Sequence, residues 1–423
     1  MPTHDVTNQA QPLVDYNLFS GDTALQEAIL REGGGWGEEI LSQFGANVGS
    51  AETFEHARLA NEYLPRLQAF DRFGHRTNRV EFHPSYHHLM SVSMGNGLHS
   101  LPWTSARKGR LVVRAAKTCM MSQIESGHGC PITMTFAAVP ALRNSPKVAA
   151  EWVPRLTNTQ YDGRNVPAHL KTARTAGMAM TEKQGGSDVR ANSTRARIQA
   201  DGTYLLVGHK WFCSAPMSDI FLTLAHCEAG LSCFLVPRWL PDGTPNAMNL
   251  QRLKDKLGNH SNASAEIEYE NAYGVLVGEP GRGVRTIIDM VAHTRLDCVV
   301  ASAGLMRQAV AQSVHHATHR KTFGARLIDH ALMKNVLADL TLETEAATAL
   351  AFRLAAAYEA GEADPAQAAF ARIATAVGKY WVCKRAPTVA YEAMECHGGN
   401  GYVETHCMAR LYREAPLNSI WEG

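Results

Sequence analysis

The sequence predicts an α+β chain in which a β domain lies between two helical domains. Apolar residues recur at helical spacing over residues 22–170, as on the buried face of amphipathic helices. Short apolar runs and one alternating run, typical of strands, replace that spacing over residues 177–278. Helical spacing returns after Gly283 and continues almost to the end of the chain. We therefore predict three domains, at residues 1–175, 176–280 and 281–423.

The N-terminal domain is predicted to be helical throughout. Leu25, Ile29 and Leu30 share one helical face, and no convincing alternating run interrupts the pattern. A cluster of Pro and Gly residues over 162–167 then marks the change to the next domain.

The middle domain is predicted to be a β-barrel-like domain or a β-sandwich. Asp201-Gly202 is a hairpin signal, and an apolar run follows it at 203–207. Over residues 265–270 apolar side chains alternate with glutamates, which predicts a strand with one solvent-facing side.

The C-terminal domain is predicted to be a helical bundle. Helical spacing covers residues 286–319 and 331–360. A third helix begins after Asp364, an N-cap residue followed by proline, and ends near Cys396, where two glycines follow.

Composition excludes several broad classes of protein. Lys and Arg (41) nearly balance Asp and Glu (40), so nucleic-acid or anionic-membrane binding would need a local patch. Residues 1–15 lack the features of a signal peptide, and no run approaches 18 apolar residues, so we expect a cytosolic protein with no membrane contact. The nine cysteines form no CxxC pair, which favours reduced thiols.

Two segments carry the residue types of a site for a planar polar ligand. The segment 178–189 combines two adjacent glycines with the hydroxyls of Thr181 and Ser187, although an ordinary turn between domains would look similar. The segment 208–214 ends a strand with aromatic residues and Ser214, which could flank a ring system or simply belong to the core.

Together these segments resemble the signatures of the acyl-CoA dehydrogenase flavoproteins. The resemblance implies a non-covalently bound FAD. In that family the first segment lies along the flavin ring and the pyrophosphate, which corresponds here to Met180, Thr181, Gly186 and Ser187. The second segment places an aromatic residue and a hydroxyl against the ring, which corresponds to Phe212 and Ser214.

Two further motifs are similar to family motifs that contact the FAD of a neighbouring subunit. One contains Arg320 and Phe323, and the other contains Gly398 and Gly399. They imply a homo-oligomer arranged as a dimer of dimers. The family's usual glutamine after the first motif is Ala331 here. Without the resemblance, the first motif reads as a solvated helix face and the second as a helix C-cap.

The chain end is similar to the family ending that carries the catalytic base, which assigns that role to Glu422. The base removes the α-proton of an acyl thioester while hydride leaves the β-carbon for the flavin. Trp421 and Gly423 flank it in the implied cofactor site, and burial there would raise the pKa of the carboxylate. Arg295 corresponds to a family arginine near the CoA pocket, or else is a structural helix residue. The aspartate often found three residues earlier is Ala292.

The resemblance is strongest to the branch of the family that acts in the bacterial adaptive response to DNA alkylation. It implies a short or branched, isovaleryl-like acyl-CoA substrate, with an electron-transferring flavoprotein as a possible acceptor. The alternative is a DNA-binding or DNA-protecting protein with a largely vestigial active site. That branch continues into a basic DNA-binding domain that we expect to be absent after Gly423, through truncation or because the homologue is short.

Two local patterns bear on rival functions. The DNA hypothesis relies on four cations at helical spacing, Arg107, Arg110, Arg114 and Lys117. A solvated helix face is the commoner origin of such a stripe. His315 and His319 have the i, i+4 spacing of metal ligands, but no carboxylate motif completes a site, so we predict no metal.

Overall fold

The structure is a computed structural model that describes residues 3–423. Helical elements dominate the chain before residue 160. They are α1 (Thr23–Arg31), α2 (Glu38–Val48), α3 (Ala51–Glu62), α4 (Pro84–Gly95), α5 (Leu101–Thr104), α6 (Arg110–Ile124), α7 (Gly129–Leu142) and α8 (Pro146–Leu156). No described helix is both long enough and apolar enough to cross a membrane.

A hairpin interrupts this helical part, where the sequence predicted helices only. Its strands are β1 (Arg66–Phe70) and β2 (Arg76–Glu81), paired antiparallel. Strand β1 has only five residues, and five of the six residues of β2 are polar, so the apolar alternation is weak. The hairpin instead depends on tertiary contacts, because Asn78 Nδ2 donates to the Met248 carbonyl (3.1 Å) and Val80 joins the core of the β domain.

The middle of the chain forms a seven-stranded sheet, which confirms the predicted β domain. Its strands are β3 (Ala176–Ala179), β4 (Arg195–Ile198), β5 (Tyr204–Ser214), β6 (Ile220–Cys227), β7 (Gly230–Pro237), β8 (Met248–Leu253) and β9 (Ser264–Val277). The strand order is β3-β6-β4-β5-β9-β7, β8 pairs with β9, and β7 also pairs with β6. That last pairing closes a small barrel, whose interior is filled by side chains.

The apolar residues of strand β9 are buried, as the alternation predicted. One of its polar residues differs from the prediction. Ala265, Ile267 and Tyr269 are almost fully buried, and Glu270 is exposed. Glu266 was predicted to face solvent but is only 9% exposed. It is covered because its carboxylate accepts hydrogen bonds from two cationic side chains of the β8 region, at 2.6 and 2.7 Å.

The C-terminal part is helical, as predicted. It contains α9 (Gly283–His319), a short hairpin of β10 (Lys321–Thr322) and β11 (Ala325–Arg326), α10 (Ala331–Ala360), α11 (Pro365–Glu395), α12 (Gly399–Tyr402), α13 (Cys407–Glu414) and α14 (Leu417–Ile420). The Asp364 side chain caps α11 by accepting from the Ala366 N–H (2.8 Å). All nine cysteines are free thiols, and seven are buried.

These elements pack into two compact units. The first comprises residues 3–55, 107–126 and 295–421 and is helical apart from the short β10–β11 hairpin. The second comprises residues 56–106, 127–294 and 422–423 and contains the barrel. The last two residues of the chain therefore belong to the unit that contains the barrel.

The four cations proposed to bind DNA do not form an exposed stripe, so that prediction is wrong. Arg114 is 1% exposed, and its guanidinium forms a two-bond ion pair with Asp297. Lys117 is 5% exposed. Arg110 pairs with acidic residues of the α10 region, and the Arg107 guanidinium lies 5.0 Å from the ring centre of Trp36. Helix α6 is central in its unit, so these charges serve packing rather than phosphate binding.

A buried ion pair joins strand β5 to the segment after β3. Glu182 and Lys210 have fully buried side chains, with 2.9 Å between Oε1 and Nζ. Glu182 also accepts from the Thr194 hydroxyl (2.6 Å) and from the Ser193 backbone and hydroxyl (2.6 and 2.8 Å). Burial alone would raise the pKa of Glu182, but these hydrogen bonds outweigh it and hold that pKa below its usual range.

We expect Lys210→Met to destabilise the protein by about 3–5 kcal/mol, because it leaves the Glu182 carboxylate buried without its cation. Urea unfolding followed by circular dichroism measures the change. Lys183→Met, a substitution of an exposed lysine in the same segment, serves as the control and should shift stability by less than about 0.5 kcal/mol. Equal unfolding midpoints for the two variants would contradict this account of the pair.

Candidate active site

The predicted base, Glu422, has a fixed carboxylate. The Thr294 hydroxyl donates to Glu422 Oε2 at 2.7 Å, and Thr294 is itself buried on α9. The same hydroxyl lies 3.0 Å from the Val291 carbonyl oxygen. The backbone at Glu422 has φ +65°, and Gly423 follows at φ +80°. A left-handed conformation at a non-glycine residue is uncommon and is found most often at functional sites.

A buried thiol brings Glu422 and the end of strand β5 to one place. Burial and, to a smaller extent, the Glu422 charge raise the pKa of Cys130 to about 12. Hydrogen bonds between Cys130 and the side chains of Asn262 and Ser214 act in the opposite direction. Glu422 and Ser214, predicted separately as base and flavin contact, therefore share Cys130 as a neighbour. We predicted that Glu422 would be buried, but in the structure it is only half-buried.

The predicted cofactor loop lies directly against strand β5. The Trp211 N–H donates to the Thr181 carbonyl at 2.8 Å, which fixes Met180 and Thr181 beside the strand. A Cβ atom at Gly186 would lie 2.6 Å from Thr181 Oγ1, so only glycine lets the loop pass so close. Ser187 is exposed, with its hydroxyl available to a ligand.

Phe212 provides an aromatic surface at the same end of β5. It is 47% exposed, although its strand neighbour Cys213 is fully buried. Lys254 Nζ lies 3.1 Å from the ring centre of Trp211 and 4.8 Å from that of Phe212, so a cation borders the two rings. An exposed ring beside a glycine-dependent loop fits a flat, anionic cofactor such as FAD.

The remaining predicted cofactor contacts lie in the helical unit. Arg320 is half-buried and its guanidinium donates to the Asn8 carbonyl at 2.5 Å. Phe323 is completely exposed at the tip of the β10–β11 hairpin, with φ +50°. Gly398, with φ +58°, and Gly399 are exposed at the start of α12. Phe323, Gly398 and Gly399 therefore present exposed surface, whereas Arg320 is held by a contact within its own unit.

Two other predicted residues have partners inside that unit. Trp421 Nε1 donates to Asn418 Oδ1 at 2.9 Å, which fixes the indole at the end of α14. Arg295 is half-buried on α9. Burial raises the pKa of Tyr358, and the nearby Arg295 charge acts against that shift.

Sequence reasoning missed the roles of Thr294 and Cys130. The sequence placed Thr294 beside Arg295 in a recognisable pair but gave no reason to connect it with a residue 128 positions away. Cys130 belongs to a segment, residues 130–137, that resembles the family, but no role for its thiol followed from that resemblance. Lys254, beside the aromatic pair, belongs to a second such segment, residues 253–259, and was likewise given no role.

The barrel, the Glu422 carboxylate held by Thr294 and the loop beside β5 fit a flavoprotein of the acyl-CoA dehydrogenase type. Descriptions of three protein families match the chain. They are the adaptive response protein AidB N-terminal domain at residues 8–163, the acyl-CoA dehydrogenase middle domain at 177–272 and the acyl-CoA dehydrogenase C-terminal domain at 281–423.

Individual relatives agree with this. AidB of Escherichia coli (strain K12) is 48% identical over the whole chain, which covers 78% of that protein. The structure of Caenorhabditis elegans ACDH-11 in complex with C11-CoA superposes with a TM-score of 0.91 at 30% identity, covering 100% of this chain and 74% of that one. Butyryl-CoA dehydrogenase from Megasphaera elsdenii, at 19% identity and a TM-score of 0.72 over 97% and 96% of the two chains, shares the fold.

The chain belongs to the acyl-CoA dehydrogenase family, within its AidB group. It is therefore an FAD-dependent enzyme of the acyl-CoA dehydrogenase type. The acyl group that it accepts and the roles of the individual residues are separate questions.

We expect Gly186→Ala to weaken FAD binding, because the new methyl group would meet the Thr181 side chain and push the loop away from β5. The ratio of flavin to protein absorbance after gel filtration measures retention, and we expect it to fall at least about fivefold, or roughly 1 kcal/mol. Gly95→Ala is the control, since a Cβ there meets nothing within 4 Å. Full flavin retention by both variants would show that this loop does not approach the cofactor.

Proposed function

We propose that the protein catalyses the α,β-dehydrogenation of a short or branched acyl-CoA, with Glu422 as the base. The observation that carries the proposal is the Glu422 carboxylate, held at 2.7 Å by the buried Thr294 hydroxyl beside Cys130 and Ser214. A general base needs such a fixed position within reach of the proton that it removes. FAD, when bound, accepts the hydride from the β-carbon.

Thr294 suits both protonation states of the base. Its single hydroxyl proton has two acceptors, Glu422 Oε2 at 2.7 Å and the Val291 carbonyl at 3.0 Å. While Glu422 is ionised, the hydroxyl donates to the carboxylate. Once Glu422 has taken the α-proton, the hydroxyl can donate to Val291 and accept from the new carboxylic acid. The carboxyl group can thus stay in place through the proton transfer.

The left-handed backbone at Glu422 supports the same role. This conformation costs roughly 1–3 kcal/mol at a non-glycine residue and persists only where surrounding contacts impose it. The Thr294 hydrogen bond is one such contact. We infer that the strain at Glu422 is tolerated because it aims the carboxylate into the site.

The acyl and electron-acceptor specificities rest on resemblance. The short, branched acyl chain, such as isovaleryl, comes from the sequence resemblance alone, whereas the C. elegans relative was solved with C11-CoA. We propose that the protein acts on short, branched acyl-CoAs and that Arg295 contacts the CoA. We also propose that an electron-transferring flavoprotein accepts the electrons. Anaerobic bleaching of flavin absorbance across a series of acyl-CoAs tests the acyl class.

We further propose that the protein works as a homo-oligomer, a dimer of dimers. Helix α11 carries an exposed apolar stripe in which Phe370, Ile373, Val377 and Tyr380 are 38–71% exposed. An apolar stripe at this spacing on a long helix favours packing against another helix. The wholly exposed Phe323 gives a second apolar contact point, beside Arg320, for a neighbouring subunit.

Light scattering should accordingly give a mass close to four times the 46.2 kDa chain. Val377→Asp should lower that mass, because it places a charge in the centre of the α11 stripe. Leu30→Asp is the matched control, since Leu30 is also apolar and 61% exposed but lies outside the stripe. A monomeric wild-type protein, or equal masses for the two variants, would contradict the stripe as an interface.

For the catalytic role, we expect Glu422→Gln to slow anaerobic flavin reduction by an acyl-CoA about 10²- to 10⁴-fold, the usual contribution of a general base. The amide keeps the size of the side chain but cannot accept the α-proton. FAD content should be unchanged, which separates loss of the base from loss of the site. Stopped-flow absorbance at the flavin band gives the rate, and a rate within threefold of wild type would assign the base elsewhere.

Thr294 variants provide the internal comparison. Thr294→Val removes the hydroxyl while keeping the shape, and Thr294→Ser restores the hydroxyl. If Thr294 positions the base, the valine variant should alter the pH profile of the reduction rate and the serine variant should recover it. If Thr294 had only a structural role, both variants would be less stable than the wild type, and the pH profile of the reduction rate would not change.

A further inference from the structure

A cavity of about 340 Å³ lies in the barrel-containing unit. Strand β2, helix α4 and the segments around residues 161–165 and 215–218 line it. Its lining residues Pro131 and Ala215 follow Cys130 and Ser214 in the chain, but neither Glu422 nor the predicted flavin contacts line it. It is therefore distinct from the candidate active site, and its volume suits a small ligand.

Most of the cations in this cavity are already neutralised. Lys171 forms a buried pair with Asp219 at 2.9 Å. At the rim, Arg164 pairs with Asp162 at 2.6 Å, and Arg79 lies 3.3 Å from a Glu81 carboxylate oxygen. These three cations leave no net charge for a ligand.

Arg238 is the exception. Among the described residues it forms no ion pair, and its three hydrogen bonds go to neutral acceptors, the Met217 carbonyl (2.9 Å), the Met217 sulfur (3.5 Å) and Asn165 Oδ1. A guanidinium has five N–H groups, so two remain for a ligand. Burial lowers the pKa of Arg238, and the Asp219 charge acts against that shift from beyond ion-pair distance. The Asp219 oxygens instead accept from Lys171 Nζ and the Thr175 N–H.

A second polar group in the cavity also lacks a partner. Ser218 is 2% exposed, and its hydroxyl makes no hydrogen bond within the described chain. A buried hydroxyl without a partner costs about 1–3 kcal/mol, so such groups usually meet a bound molecule. Ser218 lines the same cavity as Arg238. The pair offers donors for an anionic head group.

The opposite wall is apolar and aromatic. The Phe82 and Tyr86 rings stack with centroids 4.2 Å apart, and Met90 and Pro131 are buried beside them. A mineral anion would gain nothing from this wall, whereas an apolar organic body would bury surface against it. The cavity thus combines a cation that has no ion pair with an apolar patch on one part of a largely polar lining.

We propose that this cavity binds a small organic carboxylate, with the carboxylate on Arg238 and Ser218 and the apolar body against Phe82, Tyr86 and Met90. The proposal is independent of catalysis by Glu422, because its ligand need not react. The carboxylate could belong to a free acid or to the far end of an acyl group. Either source presents a carboxylate, which is the group that the Arg238 guanidinium recognises.

Isothermal titration calorimetry of the FAD-loaded protein with phenylacetate tests the site. We expect saturable one-to-one binding that Arg238→Met weakens at least about tenfold, through loss of a charge-assisted hydrogen bond. Arg164→Met is the matched control, because it removes the same charge from an exposed, already paired position, and should change affinity less than about threefold. Ser218→Ala should weaken binding while leaving Arg238 and the fold unchanged, which circular dichroism verifies.

Other probes separate the sources and can overturn the proposal. Inorganic phosphate should not compete with phenylacetate, and equal affinity for the two would refute the role of the apolar wall. Adipyl-CoA carries a carboxylate at the far end of its acyl group, and hexanoyl-CoA does not. If Arg238→Met weakens the binding of adipyl-CoA but not of hexanoyl-CoA, the carboxylate comes from the acyl group. Equal effects on both thioesters would favour a free acid. No heat of binding at millimolar phenylacetate, or an unchanged affinity in Arg238→Met, would overturn the site.

Discussion

The buried ion pair between Glu182 and Lys210 is the constraint on which the candidate cofactor site depends. Glu182 directly follows Thr181 and accepts from Lys210, Ser193 and Thr194, so both ends of the loop are tied to one carboxylate. Lys210 also donates to the Leu224 carbonyl on β6 at 2.8 Å. The loop is thus attached to two barrel strands. Because a carboxylate buried without these donors would be strongly destabilising, the loop has little freedom to move away from β5.

Glu422, the proposed base, depends on a different kind of anchoring. Its carboxylate is held by a hydroxyl on the long helix α9, and its backbone adopts a strained conformation. The position of the proposed base is therefore determined by a rigid helix rather than by its own neighbours in the chain. Cys130, buried beside it, provides an apolar wall and keeps its proton at neutral pH.

Charged side chains in this protein differ in whether they have an ionic partner. Arg114 looked like part of a DNA-binding stripe but pairs with Asp297 inside a helical unit, and Lys171 pairs with Asp219 inside the other unit. Arg238 is half-buried and contacts only neutral acceptors. Desolvating a guanidinium without an anion is costly, so we expect a ligand at Arg238, which lines a cavity. Charge in a sequence indicates function only after the structure shows which charges are already neutralised.

The sequence by itself determined the α–β–α order, the bounds of α10 and α11 and the flavoprotein class, because periodicity, N-caps and short motifs are local properties. It could not predict the β1–β2 hairpin, whose polar strands depend on contacts with Met248 and the barrel core. Nor could it connect Thr294 with Glu422, separated by 128 positions, or reveal that Arg114 is buried while Arg238 lacks an anion. Those features depend on which distant side chains meet, and only the tertiary structure decides that.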